Sequence, residues 1–470
     1  MAEQTDLLIL GGGTGGYVAA IRAAQSGLSV TIVEKYKLGG TCLHKGCIPT
    51  KALLRSAEVY DTIKEAEMFG IEGQNNHVVN FKKIQERKQS IIDQLHSGVE
   101  GLCKKNKIKV LEGEGAILGP SIFSPVSGAV AVTFNDKSKE EEIIVPKNVI
   151  IATGSTPRTL PNLPLDEKDI LSSDGMLQLE ELPESIVIVG GGVIGVEWAS
   201  LLNSLGVEVT IVEFLDRLLI NESAKISREL KKSLTKKGIK VLLSSKVESA
   251  EVKDSGVEVS IEGQDKLTVD KVMVAIGRAP KVEGIGLQNT SVKYEPKGIQ
   301  VNEFYQTTES HIYAIGDCID TMQLAHVAMK EGELAVAHMV GEDVEPLNYT
   351  NVPRGVYTNP EVASVGYVKE TVPEGKKVKI GTFNFAGNGK ALVYGGNEGF
   401  IEVIRDLETD DLLGVSIIGP HATDLISEAS TSIYLDATPL EIGEAIHPHP
   451  TLTEVLQEAA LDTYGKAIHK

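Results

Sequence analysis

The sequence predicts an α/β protein in which one strand–glycine turn–helix–strand unit occurs twice, followed by a C-terminal α+β segment. Three observations carry this. Residues 6–34 read DLLILGGGTGGYVAAIRAAQSGLSVTIVE, and residues 185–213 read SIVIVGGGVIGVEWASLLNSLGVEVTIVE. In both, an apolar run enters a G-x-G-x-x-G turn, a helix-like stretch follows, and a second apolar run ends in glutamate. Residues 348–470 have no such turn. There, strand-like runs (KIGTFNF, GFIEVIRD, LLGVSIIG) alternate with helix-like ones (TDLISEASTSIYLD, TLTEVLQEAALD), a pattern suited to packing rather than to nucleotide binding.

The first copy places its glycines at Gly11, Gly13 and Gly16 and its acid at Glu34. The second places them at Gly190, Gly192 and Gly195, with Glu213. The first glycine and the acid are 23 residues apart in both copies (11 to 34, 190 to 213). Each part has a physical task. The first glycine permits the tight turn, the second lets the backbone approach a pyrophosphate, and the third lets helix and strand pack closely. The helix N-terminus offers N–H groups and the positive dipole end to phosphates. The acid accepts hydrogen bonds from a ribose diol. One such turn alone would fit an ordinary α/β sheet. Two in full context identify two Rossmann-like dinucleotide-binding domains. Glu213 suits a free 2′-hydroxyl and repels a 2′-phosphate, and the following FLDRLL brings only Arg217, so NAD is favoured over NADP at the second site.

Residues 149–155 (VIIATGS, with Thr153 and Gly154) and 271–278 (KVMVAIGR, with Gly277) are apolar strands ending in small residues, which permits close approach of a ligand. Residues 311–317 read HIYAIGD. Asp317 is either part of a surface turn or the polar end of a strand facing a cofactor, and spacing alone leaves the two even. Residues 120–142 are turn-rich with alternating apolar positions, consistent with a small β insertion. The chain divides into 1–149 with the first motif, 150–280 with the second, 281–347 folding back onto the first part, and 348–470.

Length and charge bound the rest. With 470 residues, two to four domains are expected. A net charge of −19 disfavours nucleic acid and anionic membrane surfaces. The uncharged run at residues 7–21 is too short and too rich in glycine to span a bilayer. The opening MAEQTD lacks a basic n-region and a cleavage site, so the expected location is cytoplasmic. Four cysteines do not make a disulfide scaffold, and in a reducing compartment a cysteine pair is more often metal-binding or catalytic.

Cys42 and Cys47 lie five positions apart in GGTCLHKGCIPTK. Three readings stand: a zinc site with His44, two buried structural thiols, or a redox-active disulfide. The zinc reading lacks a fourth ligand and a C-x-x-C spacing. Buried thiols are the common fate of free cysteine. On an ideal helix the two Cα atoms would be about 8–9 Å apart, beyond the roughly 7 Å a disulfide tolerates. Bridging needs a distorted turn, which Gly46 can supply, with Pro49 suited to a local break. Lys45 and Lys51 favour a thiolate. Near the C-terminus, residues 444–458 read EAIHPHPTLTEVLQE. His449 with Glu454 is a candidate base for dithiol chemistry. Thr451-x-x-Glu454 also fits a helix capping box, and His447 with His449 could be two ligands of a metal that lacks a third. Glu454 can fill both roles only if its carboxylate is shared.

Taken together, GGTCLHKGCIPTK, the two glycine motifs and HIYAIGD resemble the flavin-dependent pyridine nucleotide–disulfide oxidoreductases over essentially the whole chain. The resemblance is nearest to the branch that oxidises dihydrolipoyl groups. It implies FAD at the first motif and NAD at the second. It makes Cys42 the interchange thiol and Cys47 the thiol against the flavin. Lys51 is expected near the flavin N5, paired with Glu197. Asp317 is expected at the ribityl–phosphate region, Ala325 against the flavin, and Gly115 as a further FAD contact. Val247 and Gly277 match NAD contacts. H-P-T-x-x-E is the family's catalytic segment, with a cis His449–Pro450 bond, and its histidine reaches the disulfide of a second subunit. The C-terminal part is then a dimerisation domain and the protein an obligate homodimer. The implied partners are the lipoyl domain and the subunit-binding domain of a 2-oxo acid dehydrogenase acyltransferase, the latter basic and able to dock on an acidic surface.

Glutathione reductases share the cysteine motif but carry tyrosine where Val193 stands and basic residues where Glu213 stands. Mercuric reductases need a C-terminal cysteine pair, and no cysteine follows Cys318 here. A non-catalytic FAD-binding subunit is disfavoured by intact Cys42, Cys47, His449 and Glu454. One departure concerns the residues between the cysteines, usually L-N-V-G and here L-H-K-G. His44 and Lys45 are expected to add positive charge there, and the variant resembles dehydrogenases of branched-chain 2-oxo acid complexes. Cys103 and Cys318 receive no role.

Overall fold

The structure, a computed structural model, describes residues 3–73, 77–120 and 127–470. It comprises two compact units: Met1–Ala52 with Gln85–Arg158 and Gly277–Leu347, and Leu53–Ile84 with Thr159–Ile276 and Asn348–Lys470.

The first unit is built on a six-stranded sheet. Glu3–Leu10 pairs in parallel with Val30–Glu34 on one side and Glu142–Ile151 on the other. Lys109–Ile117 extends the sheet beyond Val30–Glu34, and Ile312–Ala314 extends it beyond Glu142–Ile151, both in parallel. Val130–Phe134 joins Lys109–Ile117 and Glu142–Ile151 in antiparallel register. The expected β insertion is therefore part of this sheet, although its residues 121–126 lie outside the described ones. Leu7, Leu8, Ile9 and Ile32 are fully buried, as strands covered on both faces require, each contributing about 1.5–3 kcal/mol. The helix Thr14–Gln25 meets the helix Ala325–Met339 through glycine. A Cβ on Gly15 would stand 2.9 Å from Ala328 O, and one on Gly332 would stand 2.9 Å from Gly15 O. Ser155–Pro157 and Arg278–Pro280 form a short antiparallel pair.

The second unit contains a parallel sheet in the order Lys240–Leu242, Glu208–Val212, Ser185–Val189, Lys271–Val274, Ile170–Leu171. The helix Val193–Ser204 follows its glycine turn and buries Trp198, the only tryptophan in the chain. Val247–Lys253, Gly256–Ile261 and Leu267–Val269 form a three-stranded antiparallel sheet. The C-terminal segment has a five-stranded antiparallel sheet of Arg354–Val356, Glu361–Gly366, Leu412–Gly419, Phe400–Asp406 and Val378–Asn384. The helices Ala422–Tyr434 and Glu454–Asp462 share a core with it through Ile401, Val403, Ile426 and Val455. Among the described residues, no helix is long and apolar enough to cross a membrane.

Candidate active site

The two glycine turns have the same local construction. Gly11 has φ +104°, and a Cβ there would meet Ala152 O at 2.3 Å. Gly190 has φ +115° and stands in the same relation to Ala275 O. A Cβ on Gly16 or Gly195 would collide with the carbonyl of Gly11 or Gly190. The acids are held alike. Glu34 accepts from Gly12 N (2.7 Å, Oε2) and Tyr36 N (2.7 Å, Oε1). Glu213 accepts from Gly191 N (2.5 Å, Oε2) and Leu215 N (2.7 Å, Oε1). A carboxylate has about four acceptor positions, so each can still take a ribose diol. Both turns are cradles that an added Cβ would fill, and they fit dinucleotides.

The first turn continues into the cysteines. Gly13 forms a bridge with Gly39, and Gly39 N donates to Gly12 O at 2.8 Å. Gly39 and Gly40 both have positive φ and open the short helix Gly40–Lys45, which carries Cys42. Gly46 ends that helix at φ −148°, ψ −110°, and Cys47 starts the helix Cys47–Lys64, which carries Lys51. The expected distortion at Gly46 is present. Pro49, expected to mark a break, instead sits in the first turn of the second helix, where its missing N–H leaves no intrahelical bond unmade. Cys42 and Cys47 are both half-buried and are not joined by a disulfide here. The side-chain hydrogen bond that the Cys42 thiol makes to Cys47, then burial, pushes the Cys42 thiol up, and Lys51 opposes this.

His44 corrects an expectation. Its Nε2 faces Leu38 O at 2.9 Å, and burial, opposed by that carbonyl, pushes the imidazole below its ordinary 6.5, which works against the expected charge beside the cysteines. Lys45 Nζ lies 5.5 Å from the centre of the Tyr36 ring. Among the described residues, no group of three or more His, Cys, Asp or Glu could hold a metal ion. Cys103 and Cys318 are buried. Burial pushes the Cys318 thiol up to about 12, so it stays protonated.

The remaining candidates of the first unit lie on its strands and turns. Thr153 Oγ donates to Lys281 O at 2.6 Å, and Gly154 has φ +71°. Gly115 is packed so that a Cβ would stand 2.4 Å from Leu10. Gly277 has φ +100°, and its carbonyl accepts from Arg158 N at 3.0 Å. Ala325 is the first residue of the helix Ala325–Met339. Asp317 follows the strand Ile312–Ala314 in a 3-10 turn, and its Oδ2 accepts from Ser155 Oγ at 2.5 Å. In the second unit, Glu197 is buried and accepts from Tyr357 N at 2.9 Å, and Val247 opens its strand.

His449 and Glu454 are paired. His449 Nδ1 donates to Glu454 Oε1 at 2.9 Å, and Thr451 N donates to Glu454 Oε2 at 2.8 Å. The carboxylate is shared, one oxygen to each role. The full capping box is not formed, because the helix begins at Glu454 with Thr453 as its N-cap. The His449–Pro450 bond is cis. Burial raises the Glu454 carboxyl, but the Thr451 N–H and His449 together hold it below the usual carboxylate range. With a carboxylate on Nδ1, the ring keeps its acceptor lone pair on Nε2. The ring is 79% exposed. His447 instead turns to Glu428 Oε1 (2.8 Å) and Ala445 O (3.0 Å), so it does not form the alternative metal pair.

Residues 5–332 match the family model "Pyridine nucleotide-disulphide oxidoreductase", and residues 352–460 match that family's dimerisation domain. The chain belongs to the pyridine nucleotide–disulphide oxidoreductase family. It is 55% identical to a dihydrolipoyl dehydrogenase of Bacillus subtilis, with all of both chains covered. It is 39% identical to a mitochondrial dihydrolipoyl dehydrogenase of Pisum sativum, over 100% of this chain and 93% of the relative. Among solved structures it is similar to LpdA from Mycobacterium tuberculosis, with TM-score 0.90 and 26% identity over 98% of this chain and 99% of that one. FAD and NAD are the cofactors, and the dimerisation domain makes the protein a homodimer. Sequence reasoning on this family member missed Gly39–Gly40, Ser155, Arg278 and Glu331. The glycine pair was visible as GG ahead of Cys42. The other three are ordinary-looking residues whose partners are distant in sequence.

Proposed function

We propose that this chain is a dihydrolipoyl dehydrogenase of a 2-oxo acid dehydrogenase complex, and from the L-H-K-G segment, of a branched-chain one. The observation that carries it is the split Glu454 carboxylate, which holds His449 as a base at an exposed face. His449 Nε2 takes a proton from the dihydrolipoyl dithiol. The substrate thiolate attacks Cys42 Sγ and breaks the Cys42–Cys47 disulfide. The second substrate thiolate then displaces Cys42, closing the lipoyl disulfide and leaving two thiols on the protein. When bound, FAD supplies the acceptor for those two electrons and NAD+ the acceptor of the hydride that follows.

Gly11, Gly13, Gly16, Glu34, Gly115, Thr153, Gly154, Asp317 and Ala325 hold FAD in this reading, with Lys51 beside the flavin. Gly190, Gly192, Gly195, Glu197, Glu213, Val247 and Gly277 serve NAD. The functional division is 1–149 for FAD, 150–280 for NAD, 281–347 completing the FAD site, and 348–470 for dimerisation. His449 serves the cysteine pair of the second copy. Exposed Tyr434, Leu435 and Ile446, the last 99% exposed, support a face that a second copy covers. The partners are the lipoyl domain and the basic subunit-binding domain of the acyltransferase, supported by the −19 charge. The compartment is the cytoplasm, where a thiol pair can cycle.

The test is NAD+ reduction by dihydrolipoamide, with NADPH plus oxidised glutathione as the counter-assay. Activity in the first, abolished by Cys47→Ser and lowered about 10²–10⁴-fold by His449→Ala, is expected. Activity only in the second assay would overturn the substrate assignment.

A further inference from the structure

We propose that Arg278 is a positioning residue for the first dinucleotide, orienting the Asp317 carboxylate through the hydroxyl of Ser155. The inference rests on the reading of Asp317 as an FAD ligand. Arg278 opens the strand Arg278–Pro280, which pairs with Ser155–Pro157. Its Nε donates to Ser155 Oγ and its Nη2 to Ser155 O, both at 2.8 Å. Ser155 Oγ lies 2.5 Å from Asp317 Oδ2, and Ser155 is buried.

The chemistry gives this chain one direction. A guanidinium has donors only, and a serine hydroxyl has one hydrogen. Because Ser155 Oγ accepts from Arg278, its hydrogen is directed to Asp317. The planar fork fixes Oγ and the main-chain carbonyl of Ser155 together, which a lysine cannot do. Asp317 is thereby held by one oxygen, and Oδ1 is left for a further donor. The main chain of the Asp317 turn is held separately. Glu331, fully buried, accepts from Gly316 N at 2.6 Å and from Thr321 Oγ1 at 2.8 Å. Loss of Arg278 therefore leaves the turn in place and releases the hydroxyl, and with it the carboxylate.

FAD affinity of the full-length apoprotein, followed by quenching of flavin fluorescence, reads this without turnover. Arg278→Met and Ser155→Ala are each expected to weaken FAD about tenfold, the scale of a hydrogen bond to a charged group. The double variant is expected to match either single one, because the residues act in series. Ser155→Thr, which keeps the hydroxyl, restores binding, and the apoprotein Tm stays at the wild-type value. Should Arg278→Met fail to fold, Arg278→Lys carries the test, with an intermediate loss expected. FAD binding unchanged in the Arg278 variant while Asp317→Ala loses it, or additive effects in the double variant, would overturn the inference alone. Binding unchanged in Asp317→Ala would overturn the reading of Asp317 and the inference with it.

Discussion

In the first glycine turn, Gly39 N reaches Gly12 O at 2.8 Å and Gly13 bridges Gly39, so a second stretch of chain lies against the turn. In the second turn Leu219 N likewise reaches Gly191 O, at 3.0 Å, but a Cβ on Gly192 would meet nothing within 4 Å, whereas one on Gly13 would meet Gly40 Cα at 3.9 Å. The turns share their φ angles, their carbonyl contacts, the hold on their acids and a backbone bond from a second stretch of chain, yet only the first is walled at its second glycine. The helix after the first turn is also closed in by Ala325–Met339 at Gly15 and Gly332. The lesson is that the motif sets what is bound, and the chain around it sets how long. In the proposed reading, the turn walled at its second glycine suits a cofactor that stays, FAD, and the one open there suits a dinucleotide that exchanges at every turnover, NAD.

The largest expected effect comes from breaking the wall. Gly40 has φ +57°, and a Cβ there would stand 2.6 Å from Gly13 Cα. Strain of roughly 1–3 kcal/mol for such a residue, with the clash added, should make Gly40→Val lose FAD. The variant is expected to purify colourless and inactive, as the absorbance spectrum will show. The matching change in the open turn sharpens the contrast. Gly192→Ala meets no protein atom, so flavin content and Tm should be unchanged, while the KM for NAD+ rises about tenfold because the backbone no longer approaches the pyrophosphate closely.

Those two glycines also show what could be read from the chain. Gly192 and its counterparts, the acids and the shared Glu454 carboxylate were legible, because each depends on short spacings with a fixed physical meaning. Gly40 was not. Its task is set by Gly13, 27 positions earlier, and only folding brings them together. Ser155, Arg278 and Glu331 escaped for the same reason. His44 misled because its position in the sequence near the cysteines suggested charge, whereas its burial, opposed by Leu38 O, pushes the imidazole below its ordinary value.

A smaller effect is expected at Glu213. Glu213→Gln keeps an acceptor for Gly191 N but removes the charge that repels a 2′-phosphate. The ratio of kcat/KM for NAD+ over NADP+ should fall about tenfold with flavin retained. The smallest effect concerns His44. Its folded pKa is lowered, so the unfolded chain binds the proton first and stability falls as pH drops below 6.5 toward the folded value. His44→Asn should remove that part of the acid sensitivity in denaturant melts between pH 7 and pH 5, and change turnover less than about threefold.

The most direct test of the comparison is to measure the dissociation rates of both dinucleotides from one preparation of the homodimer. FAD should leave at least about a thousandfold more slowly than NAD+, because affinity differences of this kind reside in the off-rate. Equal rates, or NAD+ carried through desalting while FAD is lost, would contradict the account.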